Sequence, residues 1–197
     1  MSRYIRHIFG AAAFVLVVGC SSVPTIPEYA RYLAGEPSLV EDLGGGVTLV
    51  VVDATNTQDW LYFDLDEVEV VSVVSSEEDL RWDLAFQRFN VKSNGGASGN
   101  GGVQVAITGS TDFDNPPSVD DAEWGQDEPG LGSGVIYTFV AQGDWYRYDL
   151  GTHMLASRES VIYIRSTEGT VFKLQMVSYY DRILLAGYPT FRFSGVQ

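Results

Sequence analysis

From residue 47 onward, apolar and polar residues follow one another in short runs separated by turn-forming residues. The stretch 47–53 is rich in β-branched residues, and 60–65 and 68–74 flank Asp66-Glu67 as the two arms of a hairpin. Trp82, Leu84 and Phe86 alternate with Asp83, Ala85 and Gln87, the period of a strand with one buried face, and the run continues through 89–91. Further strands are predicted at 103–107, 135–141, 145–148, 161–165, 171–180 and 191–193, with a turn at 166–169 closing a second hairpin. Glycine-rich 94–102 ends one element and reads as a flexible connection. Beyond the N-terminal block no window carries the 3.6-residue apolar stripe of an amphipathic helix. Short, regularly spaced strands with Gly and Pro turns predict an all-β fold, an antiparallel β-sandwich or open barrel.

The N-terminal block is different in kind. Residues 1–7 carry Arg3 and Arg6 and no acid, and residues 8–18 are apolar or small. A basic start and a short apolar run make a secretory signal, because a bilayer span takes about 20 apolar residues. The run ends in Val17-Val18-Gly19-Cys20, which resembles the lipobox of bacterial lipoproteins, where the cysteine thiol receives a diacylglycerol and becomes the new N-terminus. The expected organisation is a signal peptide over 1–19, a tether over 20–46 anchored by lipid at Cys20, and a β-domain over 47–197. Pro24, Pro27, Pro37 and Gly44-Gly45-Gly46 give the tether its character. Cys20 is the one cysteine of the sequence, so the domain has no internal disulfide and no thiolate metal site. Ser21 behind it fits outer-membrane sorting, since the usual retention signal at that position is Asp.

Charge narrows the partners. The 26 acids all follow Cys20, whereas the 12 bases fall to 10 once Arg3 and Arg6 are removed, a formal charge of −16. Nucleic acid is a poor partner for such a surface, and so is anionic lipid; the membrane is reached through the acyl anchor. Seven acids crowd into 111–134 around Pro116-Pro117: Asp112, Asp114, Asp120, Asp121, Glu123, Asp127 and Glu128. A solvated, mobile loop is the plain expectation for this segment, with a cation or protein contact as the alternative. It does not make an EF-hand, because Pro117 stands where that loop needs Gly.

Catalytic chemistry finds little to stand on. The loop at 94–102 lacks the Gly-Lys-Ser/Thr ending of a P-loop and leads into a strand, not a helix. Ser98 lacks the final Gly of a nucleophile elbow, and His153 is the one histidine after the signal peptide. No nucleophile, base and orienting group assemble, so the chain is read as a non-enzyme. His153 is either a turn residue between strands or a metal ligand. Haem iron accepts His with Met, which makes His153, Met154 and Met176 candidate ligands. Neighbours 153 and 154 cannot readily take opposite faces of one iron, so Met176 or a tyrosine is the freer partner.

Three stretches together resemble the HmuY family of bacterial lipoproteins. They are Trp60-Leu61-Tyr62-Phe63 with Asp66-Glu67-Val68, the run from Trp82 through Val91 into Lys92-Ser93-Asn94-Gly95-Gly96, and Trp145-Tyr146-Arg147-Tyr148 followed by 161–165, Gly169, Lys173 and Tyr179-Tyr180. The resemblance implies an all-β domain held at the outer membrane by lipid. It also implies capture of haem from carrier proteins and its delivery to an outer-membrane receptor. Well-known members hold iron by two histidines, or in some relatives by residues such as methionine, one before the Trp145-like strand and one just after it. This sequence departs there: 111–134 has no histidine and the position after the strand is Leu150, with His153 three residues on. Two-histidine ligation is thus closed to it. The expectation is a haem-binding lipoprotein using His153 with Met154, Met176 or a tyrosine. The alternative is a lipid-anchored β-domain that binds a protein or cation and has lost haem ligation. If Cys20 is the anchor, cells fed radioactive fatty acid will label the parent and not Cys20→Ser; label retained by the variant rules the anchor out.

Overall fold

The computed structural model describes residues 31, 33 and 35–196. The expected signal peptide, Cys20 and the tether as far as 30 lie outside the described residues. Among the described residues fourteen strands and one α-helical turn follow in order, with a 3-10 turn at Val119–Asp121. They are β1 (Ser38–Gly44), β2 (Val47–Val52), β3 (Leu61–Asp64), β4 (Glu69–Val71), β5 (Leu84–Gln87), β6 (Asn90–Ser93), β7 (Gln104–Ile107), β8 (Glu128–Pro129), β9 (Val135–Ile136), α1 (Thr138–Ala141), β10 (Tyr146–Asp149), β11 (Met154–Ser157), β12 (Val161–Arg165), β13 (Val171–Tyr180) and β14 (Ala186–Gly195).

Two antiparallel sheets carry the core. One has the order β1-β2-β14-β13-β12-β7 and the other β4-β3-β5-β6. Their inner faces meet through aromatic contacts: Phe191 of β14 stacks on Phe86 of β5 at 5.4 Å and meets Phe63 of β3 edge-on at 5.6 Å. Val50, Leu84, Val105, Ile164 and Leu174 fill the space around them. Two small ribbons, β10-β11 and β8-β9, stand apart from both sheets. The expected all-β sandwich is what forms, and the hairpins at Asp66-Glu67 and 166–169 are present as β3-β4 and β12-β13.

Local departures from the pattern have local causes. Residues 38–44, placed in the tether by sequence, are the edge strand β1 paired with β2, and Gly44-Gly45-Gly46 is the turn between them, all three at positive φ. The apparent single run across 82–91 folds back on itself at Arg88, which takes φ 56°. The predicted strand at 135–141 is only β9 followed by α1, because Thr138 caps a buried carboxylate: Asp127 Oδ1 accepts from its N–H at 2.8 Å and its hydroxyl at 3.0 Å. Strand β11 escapes the pattern, having no β-branched residue and only β10 as a ladder partner. Strand β14 runs well beyond 191–193.

Both loops are anchored at particular residues, while six of the seven acids of 111–134 stay exposed as expected of a solvated segment. Asn94, buried in the glycine-rich segment, donates to the carbonyls of Asp79 and Trp82 and accepts from Gly101 N–H. A Cβ at Gly99 would collide with Asn94 Oδ1, and one at Gly95 with the Val103 carbonyl; the glycines serve close packing. The acidic segment 111–134 is strapped to the six-stranded sheet. Phe113 is buried beneath the guanidinium of Arg192 and the amine of Lys173, 4.3 and 4.6 Å from its ring centre. The Tyr163 hydroxyl donates to the Pro117 carbonyl. Asp127 also accepts from Ser93 N–H, joining the segment to β6.

Asp83 is the polar centre of the sandwich. Wholly buried, its carboxylate accepts the Leu65 N–H in the β3-β4 turn and the Thr167 N–H in the β12-β13 turn, each at 2.8 Å. Burial pushes its pKa from 3.8 up to about 6, opposed by those two N–H donors and reinforced by neighbouring Asp64 and Asp66. A folded pKa above the unfolded one means that the folded protein binds the extra proton. Stability from this group is full below about pH 4 and is lost as pH rises through 6. The loss amounts to roughly 2–3 kcal/mol. Chemical denaturation of the parent and Asp83→Asn between pH 4 and 7 is expected to show this decline in the parent alone. Parallel curves for the two proteins would mean that Asp83 titrates alike in both states.

Candidate functional site

Strands β10 and β11 form a ribbon whose base is buried and whose tip is exposed. Trp145, immediately before β10, is in the core and its indole N–H donates to the Phe89 carbonyl at 3.0 Å. The ribbon leans on β13: the Leu155 N–H donates to Tyr180 Oη at 2.8 Å, and the Ser157 hydroxyl donates to the Met176 carbonyl at 2.5 Å. Between ribbon and sheet lies a cleft of about 370 Å³, lined by Phe89, Tyr146, Tyr148, His153, Leu155, Tyr179, Tyr180 and Ala186. Its volume falls within the range of small-molecule sites, roughly 300–1,000 Å³. Phe89 meets Tyr146 and Tyr179 edge-on at 5.6 and 6.2 Å, so the rings brace one another.

His153 sits at the ribbon's tip. Asp149 Oδ1 accepts the N–H groups of Gly151 and Thr152, and the Asp149 carbonyl accepts the His153 N–H, which closes the turn. Closure puts His153 at φ 57°, a left-handed conformation in which glycine costs least. Its Nδ1 lies 2.7 Å from Tyr148 Oη, a partner five residues earlier on the facing strand. Burial raises the phenol pKa of Tyr146 and Tyr179. The guanidinium of Arg88, 5.9 Å from the Tyr179 ring centre, acts in the opposite sense on Tyr179.

The three residues singled out as ligands by sequence separate. His153 lines the cleft. Met154 pairs with Asp149 while Tyr148 pairs with Leu155, and the last two line the cleft; alternation along the strands therefore turns Met154 to the other face. Met176 is 1 % exposed and belongs to the hydrophobic core, behind the sheet surface, so it does not join His153. Cys20 lies outside the described residues. The lining residues Phe89, Tyr148, Tyr179 and Tyr180 fall in the stretches that carry the family resemblance but are not singled out there as ligands, and only the register of β10 against β11 brings Tyr148 to His153.

Acidic side chains gather elsewhere. Among the described residues, the carboxylates of Asp64, Asp66 and Asp83 come within 4.8 Å of one another. Both oxygens of Asp83 are already held by backbone N–H groups, which commits the buried member to the fold. The acidic segment 111–134 contributes nothing to this cluster.

Comparison with known proteins gives a consistent picture. The model of the HmuY protein family matches residues 56–193. A search of curated protein sequences finds no significant match. Among solved structures, a Bacteroides vulgatus protein described as an HmuY-like heme binding protein superposes with a TM-score of 0.59 at 19% identity, over 79% of this chain and 95% of that one. Apo PinO from Porphyromonas gingivitis gives 0.58 at 14% identity, over 78% of this chain and 99% of the other. The apo HmuY analog of Tannerella forsythia gives 0.56 at 12% identity, over 81% and 97%.

Because His153 occupies a glycine-like conformation at an exposed tip, it contributes little to folding. His153→Gly is expected to change unfolding free energy by less than about 1 kcal/mol in denaturant melts. A larger loss would make His153 a packing element of the ribbon.

Proposed function

The chain belongs to the HmuY family, and on that premise we propose that it is a non-catalytic haem-binding lipoprotein, anchored through Cys20 at the outer membrane. The observation that carries the reading is the convergence of four tyrosines, a phenylalanine and the single histidine after the signal peptide on one cleft. Its donors suit the group: imidazole and phenol oxygen both serve as axial ligands to haem iron, and aromatic walls suit a flat porphyrin. When bound, haem supplies a Lewis-acidic iron and a large apolar face. Tyr146, Tyr179 and Phe89 would exclude water from that face, while Tyr148 and His153 at the exposed tip would offer donors to the iron. An open cleft at the edge of the sandwich also suits transfer, because haem can be taken from a carrier protein and passed to an outer-membrane receptor without opening the core. The Bacteroides vulgatus neighbour described as haem-binding supports the same reading by analogy of fold.

Titration of the purified lipoprotein in detergent with haemin is expected to give a saturable Soret change at one haem per chain. His153→Ala is expected to weaken the affinity. No saturable Soret change in the parent removes the proposal.

A further inference from the structure

The cleft contains four tyrosines, and they are not equivalent. Tyr180 Oη accepts the Leu155 N–H and ties the ribbon to β13. Tyr179 is buried, and burial holds its phenol and that of Tyr146 in the neutral form. Tyr148 alone is half exposed at the cleft's mouth with a base against its hydroxyl, His153 Nδ1 at 2.7 Å. The Tyr148 and His153 ring centres are 6.1 Å apart with the planes tilted by 54°, so the contact is made at the polar edges of the rings. The turn that builds this contact holds a non-glycine residue at φ 57°. Strain at a ligand-sized cleft points to a role for the side chain.

We propose that Tyr148, not His153, is the iron ligand, and that His153 is the positioning residue that holds its oxygen by a hydrogen bond. This deepens the haem reading above and rests on it. The phenol and Nδ1 share one hydrogen bond at 2.7 Å, at a tip open to water. With ferric haem present, Tyr148 would hold the iron through its oxygen after losing its hydroxyl proton to solvent, and His153 would keep that oxygen in place through the same contact. No electron is transferred. A phenolate is a hard anionic donor, so the site selects the ferric over the ferrous state of the porphyrin. This also answers the shortage of second ligands: with Met154 turned away and Met176 in the core, one anionic oxygen replaces the neutral pair.

The test is resonance Raman and absorption spectroscopy of haemin on the full-length lipoprotein in detergent, for the parent, Tyr148→Phe and His153→Ala. Phenolate vibrations and a phenolate-to-iron charge-transfer band are expected in the parent and absent from Tyr148→Phe. His153→Ala is expected to keep the phenolate signature but bind about ten- to a hundredfold more weakly, as for loss of a residue that orients a ligand. Matching circular dichroism and melting temperatures across the three proteins establish that the fold is intact. Saturable binding with an imidazole signature that survives in Tyr148→Phe and vanishes in His153→Ala overturns the assignment while leaving the haem reading standing. Absence of saturable binding in the parent overturns both.

Discussion

One buried carboxylate, that of Asp83, joins the two sheets through the backbone. It reaches from the residue before β5 to the turn after β3 and to the turn between β12 and β13, so a single side chain fixes the spacing of elements from both layers. A domain without disulfides and with two lysines in its whole sequence has few other cross-links to use. Desolvating an anion is costly, and two short N–H donors offset only part of that cost, as the upward pKa shows. The arrangement recurs. Asp127 joins β6 to α1, and Asp181, also buried, accepts from Ile183 and Leu185 N–H to shape the β13-β14 turn. Acidity that reads as surface charge along the chain thus includes three interior staples.

The lone cation of the smaller sheet is handled differently. Lys92 of β6 is 7 % exposed, with its amine 4.8, 5.0 and 5.2 Å from the ring centres of Trp60, Tyr62 and Trp82. Burial lowers its pKa, and the charge of Asp127 acts against that shift. Three π faces and one remote carboxylate stand in for a salt bridge. The Trp82-to-Lys92 run is therefore one structural device: an indole wall, an interior acid and an interior base. That explains why a run carrying the family resemblance says much about the fold and little about the ligand.

What the sequence revealed depended on whether a feature was local. Alternation of Trp82, Leu84 and Phe86 marked β5, and β-branched runs marked β2, β12 and β13, because side-chain period is a property of neighbours. The same alternation misassigns Asp83 and Ala85 to a solvent face; both are buried, since other elements cover that side of the sheet. His153 stood out by its rarity. Its partner Tyr148 did not, because their meeting depends on the pairing of β10 with β11, and β11 has no strand signature. Met176 looked available for the complementary reason: sequence could not tell which face of β13 looks into the core.

The ribbon that carries Tyr148 and His153 lies outside both sheets and is held to the body at its base, by Trp145, Tyr146, Leu155 and Ser157. Every residue from 147 to 153 is exposed, so side chains at this tip can be exchanged with little penalty in folding. Frame and tip are physically separable: side chains at the tip can change while the sandwich stays as it is. On the haem reading proposed above, binding strength and oxidation-state preference can change at this tip without first rebuilding the scaffold.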